Sequence, residues 1–403
     1  MIRTASGILR RRAFHSSTKQ CSGDLQRVQR PTELETLLDG SDQFARVSKR
    51  AVLEVSGRDA SAFLQGMQCN NMPLIDQGGS GMLTGFLMPQ GRIIADAFIY
   101  PKNMGVNFPH PVFLVEVDVR ARERLLKTLQ FYRLQSQVAV RDASEEFGVW
   151  NVWGPGSAAL VGNVGRPLGH VPPGGLIFRG EASAAGDVWL ADSRAPGMGL
   201  RLLLPKFTVP TLPASFEERP ASEYALRRIL KGVPEGCDDF VPDVSMPLEC
   251  NMDYMHGVHF SKGCYVGQEL TIRTHHRGVV RKRIVPVIFG DHPWGVDRGF
   301  DPRRLPQPHA DIVRVAPAAS ADQGIEQGSG QGTEARPART RKVPPGKTGS
   351  AIFNAGLALM RLEHVEQFMA HPDQAVIFET ISADGRSLRV SPWSPSWWPT
   401  SLN

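Results

Sequence analysis

The chain has 403 residues, long enough for two or three domains, with 41% hydrophobic and 21% charged side chains, a balance ordinary for a globular protein. No run approaches the roughly 20 apolar residues that a membrane-spanning helix needs, so no membrane insertion is expected. The net charge of +6 is local: residues 1–30 carry seven Arg or Lys against the single acid Asp24, leaving 39 basic and 39 acidic side chains elsewhere, and such a neutral body gives no electrostatic reason for a nucleic-acid partner.

In chain order, the first element is a leader. Residues 1–20 are rich in Arg and Ser and hold no acid, and Ile2, Ile8 and Leu9, placed on a helix, can share an apolar side. That is the pattern of a mitochondrial presequence, so residues 1–30 are set apart from the fold and the destination read is the mitochondrial matrix. The five cysteines, Cys21, Cys69, Cys237, Cys250 and Cys264, stand singly. With no C-x-x-C pair they suit a reducing compartment, and no structural metal is expected.

A first folded block covers residues 44–145. Alternating Val47, Ala51, Leu53 and Val55 predict a strand over Arg46–Val55, and Asp59 is placed to N-cap a helix over Ala60–Gln68. Strands follow over Gly81–Met88 and Arg92–Tyr100, joined by Pro89-Gln90-Gly91, where Pro fixes φ and Gly supplies a positive one. Phe113–Val119 predicts another strand. Arg120–Gln135 predicts an amphipathic helix with Leu125, Leu126, Leu129 and Tyr132 inward.

A second block of similar makeup covers residues 146–282. It has strand signals at Glu146–Trp153, Val188–Asp192 and Leu200–Leu204, and a helix over Ser222–Lys231 set between Pro220 and Gly232. From residue 283 to 403 the segments read as β: Ile284–Phe289, Ser350–Met360 and Ala375–Thr380. They are interrupted by a low-complexity insert, about residues 302–347, that is expected to be disordered. The absence of a βαβα rhythm, of a dinucleotide fingerprint and of a P-loop places the fold in the α+β class.

The chemistry-bearing stretch is Leu248–Arg283, centred on Lys262-Gly263-Cys264-Tyr265-Val266-Gly267-Gln268-Glu269. Gly263 and Gly267 allow close backbone approach on either side of the thiol. Cys264 beside Lys262, with arginines downstream, is a candidate for a partly ionised, nucleophilic or metal-binding thiol, or else for a buried structural one. His256, His259, His275 and His276 are weighed as ligands beside it, but no recognised ligand spacing is met, and ordinary hydrogen-bonding histidines are the simpler reading.

This octapeptide resembles the hallmark of the YgfZ-like branch of the glycine-cleavage T-protein superfamily. The flanks Leu248-Glu249 with Asn251, and Thr274-His275-His276 with Gly278, are similar to its mitochondrial iron–sulfur assembly members. In the first block Phe63-Leu64-Gln65-Gly66 with Asn70, and Phe86-Leu87 with Pro89, Gly91-Arg92-Ile93 and Asp96, resemble the family's helix and hairpin. The similarity is good over Val47–Phe289 and looser beyond, through Gly356-Leu357-Ala358. It implies two related α+β lobes and a small C-terminal β-barrel around a central folate-binding hole.

The resemblance also implies maturation of four-iron, four-sulfur proteins of the aconitase and lipoyl-synthase type, in concert with A-type scaffold proteins and client apo-enzymes. Cys264 and Lys262 carry over as the candidate working groups, with a transient iron–sulfur cluster on the thiol. Asp96, Glu249, Tyr265, Gly267, Gln268, Glu269 and Arg273 become candidates for holding tetrahydrofolate, a carboxylate pairing with pterin donors and Arg273, Arg281 or Arg283 taking the glutamate tail. For Asp96 and Glu249 a domain-interface hydrogen bond is the competing reading, and for Arg281-Lys282-Arg283 a solvated strand edge. Where the aminomethyltransferases have paired aspartates after the hairpin glycine, this chain has Ala95-Asp96. The lost carboxylate favours an assembly factor over a folate-dependent one-carbon transferase.

Overall fold

The computed structural model describes residue 33 and residues 39–76, 80–102, 111–161, 188–291, 295–315, 344–370 and 377–399. The leader and most of the insert, residues 316–343, lie outside the described residues. The expected strand over Arg46–Val55 is instead two, β1 (Gln43–Arg46) and β2 (Arg50–Ser56). Lys49 between them has φ 60°, a left-handed turn that ends the extended run, and the two strands enter different sheets. Alternation reports which side chains are buried but not against which sheet, so it cannot show this crossing.

The first sheet has the order β3-β4-β5-β2-β6, from β3 (Met82–Leu87), β4 (Ile93–Pro101), β5 (Val112–Asp118) and β6 (Ala139–Asp142). Helix α1 (Ala60–Met67) buries Ala60, Phe63, Leu64 and Met67, the i, i+3, i+4, i+7 set of one helical face. Asp59 does not cap it: its Oδ2 accepts the Gln137 backbone N–H at 2.7 Å instead. The β3–β4 turn forms as expected, with the Gly91 N–H on the Met88 carbonyl at 2.8 Å and φ 81° at Gly91. Helix α2 (Arg122–Tyr132) faces inward through Leu125 and Leu129. It starts after Arg120 because Asp118 takes the Arg120 N–H and guanidinium and holds that segment in a turn.

The second sheet, in the order β10-β1-β7-β9-β8, uses β7 (Phe147–Trp153), β8 (Val188–Ala191), β9 (Leu200–Pro205) and β10 (Glu217–Glu218). Helix α3 (Ala221–Leu230) packs on it and ends before Gly232, whose φ is 67°.

The C-terminal strands β11 (Lys282–Phe289), β12 (Asp311–Val315), β13 (Gly346–Ile352), β14 (Ala355–Arg361), β15 (Ile377–Ile381) and β16 (Ser387–Pro392) close into a barrel. Two expectations are corrected here. Ser350–Met360 is not one segment but a hairpin, turned at Phe353 with φ 53°. The insert was expected to be structureless from residue 302, yet Pro302–Arg304 forms a 3-10 turn and β12 pairs with both β13 and β15. Ile312 is its fully buried anchor, and composition averaged over a long window hides so short a strand. Among the described residues no helix is long and apolar enough to cross a membrane.

Candidate functional site

The motif segment is sewn to the first sheet's helix and hairpin. The N–H of His259 donates to the Cys69 carbonyl at 3.0 Å, and that of Val266 to the Gly66 carbonyl at 3.0 Å. The Lys262 Nζ donates to the Gln65 and Gln68 carbonyls at 2.7 and 2.6 Å. At Gly267 φ is 79°, and a Cβ there would lie 2.2 Å from the Met88 carbonyl oxygen, so glycine is required. Gly263, expected to serve the same purpose, has nothing within 4 Å of where its Cβ would be. Helix α4 (Gln268–Arg277) then begins, with Gln268 Oε1 accepting the Tyr265 N–H at 3.3 Å.

This anchoring leaves Cys264 exposed, whereas Cys69 and Cys250 are buried and Cys237 half-buried. Cys264 borders an open cavity of about 640 Å³ with Lys262, Gln268, Glu269, Arg273, His276 and Arg277. The structure therefore brings most of the motif candidates together and presents the thiol rather than burying it. Lys262 lends its charge to the carbonyls of the α1 end, and its ammonium stands 4.8 Å over the Tyr265 ring. Burial pushes the lysine down to about 8 and the neighbouring Cys69 thiol up to about 12. Tyr265 is itself buried beneath the loop, and its hydroxyl is pushed up by that burial and by Cys69.

The four histidines are placed differently. His275 stacks on Phe260 with ring centres 3.6 Å apart, and His276 lines the cavity beside Cys264. The backbone carbonyl of His256 accepts from Asn70 Nδ2 at 2.9 Å, and the buried His259 Nδ1 has no hydrogen-bond partner among the described residues. Among the described residues no group of three or more His, Cys, Asp or Glu side chains converges as a metal site.

Asp96 and Glu249 lie elsewhere, and apart from each other. A cavity of about 450 Å³ opens where the two sheets meet the barrel, lined among others by Arg50, Asp118, Arg120, Arg228, Glu235 and Ser350. Asp96 sits behind its wall with both oxygens engaged, Oδ1 by the Gly236 N–H at 3.1 Å and Oδ2 by Arg50 at 3.4 Å. Burial raises its carboxyl, against the opposing charge of Arg50.

Glu249 lines a different cavity of about 290 Å³, with Leu270, Thr271, Thr274, Arg281 and Arg361. Burial raises its carboxyl too, offset in part by Lys282 and Arg92, with which it makes no salt bridge among the described residues. The buried Thr271 hydroxyl in the same cavity has no hydrogen-bond partner among the described residues. Arg281 is beside Glu249, but Arg283 is neither a tail receptor nor a solvated edge. It is buried, forks onto Asp253 through two 2.8 Å bonds and lies 3.7 Å over the Tyr254 ring.

Sequence reading missed the ionic network between the lobes. Glu116 on β5 receives Arg201 of β9 at 2.6 Å, Arg50 at 2.6 Å and the Tyr100 hydroxyl at 2.7 Å. Glu235 takes Arg194 at 2.7 Å, Arg201 at 3.2 Å and the Tyr224 hydroxyl at 2.6 Å. The signal was present: Glu116 sits between Val115 and Val117, Arg201 in the apolar run Leu200–Leu204, and a charge so placed has to be paired. These partners hold Glu116 and Glu235 below the usual carboxylate range despite burial, and Arg194, Arg201 and Tyr224 all bond the Oε2 of Glu235.

Two lobes with a closed barrel and a surface thiol define a class that the comparisons specify. Residues 43–167 match the GCVT N-terminal domain, and residues 281–400 match the CAF17 C-terminal beta-barrel domain. The glycine cleavage system aminomethyltransferase T from Bartonella henselae shares the fold, with a TM-score of 0.57 and 12% identity over 91% of this chain and 89% of its own.

Closer in sequence are proteins named iron-sulfur cluster assembly factor IBA57 homolog, mitochondrial. That of Mycosarcoma maydis is 37% identical over 89% of this chain and 85% of its own. Those of Coccidioides immitis and Pyricularia oryzae are 36% and 31% identical, covering 79% and 88% of this chain and 71% and 84% of their own. The chain belongs to this IBA57 family.

Proposed function

We propose that the chain matures four-iron, four-sulfur proteins in the mitochondrial matrix, as a folate-binding assembly factor whose working thiol is Cys264. The observation that carries this reading is the presentation of Cys264, an exposed thiol on a loop bonded to a rigid helix and facing an open cavity. The relatives are named mitochondrial assembly factors along most of their length. A single cysteine supplies one ligand, so a cluster on it is cargo whose other ligands come from a partner, here an A-type scaffold protein. The clients are apo-enzymes of the aconitase and lipoyl-synthase type.

Folate enters through the chemistry of the smaller cavity. A pterin edge offers N–H donors and a carbonyl, which suit the half-buried Glu249 carboxylate and the unpartnered Thr271 hydroxyl, while Arg281 and Arg361 suit the carboxylate tail. Tetrahydrofolate, when bound, supplies a reduced ring able to carry a one-carbon unit. A transferase reading is disfavoured because Ala95 replaces one acid and Asp96 has both oxygens tied to Gly236 and Arg50.

The test is deletion of the gene, followed by assay of aconitase activity and protein lipoylation beside citrate synthase as a cluster-free control. Loss of the first two with citrate synthase intact, restored by the full chain, supports the proposal; normal values in the deletion would overturn it.

A further inference from the structure

The C-terminal end of α1 is capped from a distant part of the chain. A helix leaves its last carbonyls without intrahelical partners and gathers partial negative charge there, which a cation relieves. Helix α1 has no basic residue in its last turn. The motif segment fills that need: Lys262 Nζ takes the Gln65 and Gln68 carbonyls, Val266 N–H the Gly66 carbonyl and His259 N–H the Cys69 carbonyl. Two of these three donor residues, Lys262 and Val266, stand two positions from Cys264 on either side, while the thiol itself makes none of the bonds.

We infer that Lys262 is a positioning residue, whose ammonium caps the end of α1 and so fixes the backbone on which Cys264 is presented. This replaces the expectation of a catalytic lysine and rests on the reading of Cys264 as the working thiol. The ammonium is spent on two carbonyls and the Tyr265 ring, so its contribution to the thiol is geometric. A lysine suits the place because its flexible stem reaches across the loop and its three N–H donors can serve two acceptors at once.

The experiment is amide hydrogen exchange on the purified full chain, without cluster or folate, for wild type, Lys262→Met, Lys262→Gln and Lys262→Arg. In Lys262→Met, exchange over residues 259–267 should accelerate at least tenfold while strands β11 to β16 keep wild-type protection. Lys262→Arg should keep the loop protected, and rescue of aconitase in the deletion should follow the same order. Lys262→Gln retains a neutral donor and reads out the loop if the methionine variant does not fold.

Wild-type exchange over the loop in Lys262→Met would overturn the inference. So would faster exchange throughout the molecule, which marks a merely structural role, or full rescue despite a loosened loop. Because exchange is read on the isolated protein, its outcome is separable from failure of the assembly reading.

Discussion

Gly267 stands one residue before the motif helix in a left-handed conformation, with the Met88 carbonyl oxygen 2.2 Å from where a Cβ would be. Replacing it by alanine adds both a strained φ and a clash that backbone must relieve. Gly267→Ala should destabilise the fold by about 1–3 kcal/mol, visible as a lower denaturation midpoint, whereas Gly263→Ala should be nearly silent. Glu249 carries a different kind of prediction. Its carboxylate is half-buried without a salt-bridge partner among the described residues, so Glu249→Gln should leave the fold intact and weaken tetrahydrofolate binding roughly tenfold or more, the cost of a charged hydrogen bond, as measured by calorimetric titration. Unchanged affinity would remove the smaller cavity from consideration as the folate seat.

Between elements, the contact that matters most is the one joining β5 to β9. Arg201 and Glu116 are wholly buried, and each is the other's principal counter-charge. Removing Arg201 leaves Glu116 to Arg50 and Tyr100 and Glu235 to Arg194, an excess of negative charge in the interior, so Arg201→Met should cost about 2–3 kcal/mol in chemical denaturation, and Glu116→Gln should recover part of that loss in the double variant.

The same elements show how much was legible in the sequence. The helix expected over Ala60–Gln68 forms, though without the cap from which it was read, and the Pro89–Gly91 turn was readable because it depends on local spacing. The transfer of β1 to the second sheet was not, since it depends on one left-handed residue, Lys49, and on partners far along the chain. Asp59 failed as a cap for a similar reason, a tertiary acceptor role for Gln137 N–H having outcompeted the local one. At the site, the motif located the exposed thiol. It did not reveal that Lys262 points under the loop, nor that Glu249 lines a cavity while Asp96 lies apart from it behind the wall of another, because both follow from how the lobes pack.

For the whole molecule, acid should act through the carboxylates at the junction of lobes and barrel. Burial would raise Asp118, but hydrogen bonds from the Arg120 side chain and from the Cys237 and Arg120 N–H groups outweigh it and hold it down at about 2. A carboxylate depressed on folding stabilises the protein above its unfolded value, the usual 3.8, and loses that contribution as pH falls through 2. Wild type should therefore lose stability between about pH 4 and pH 2, and Asp118→Asn should show a shallower loss across the same window in denaturant titrations.

At this scale too lies the claim that the fold exists to present one thiol. Its most direct test is rescue of the deletion by Cys264→Ala, read as aconitase activity with lipoylated protein alongside, once equal abundance and melting temperature have been verified. Wild type should restore both readouts and Cys264→Ala neither. Full restoration by Cys264→Ala would contradict a working role for the thiol.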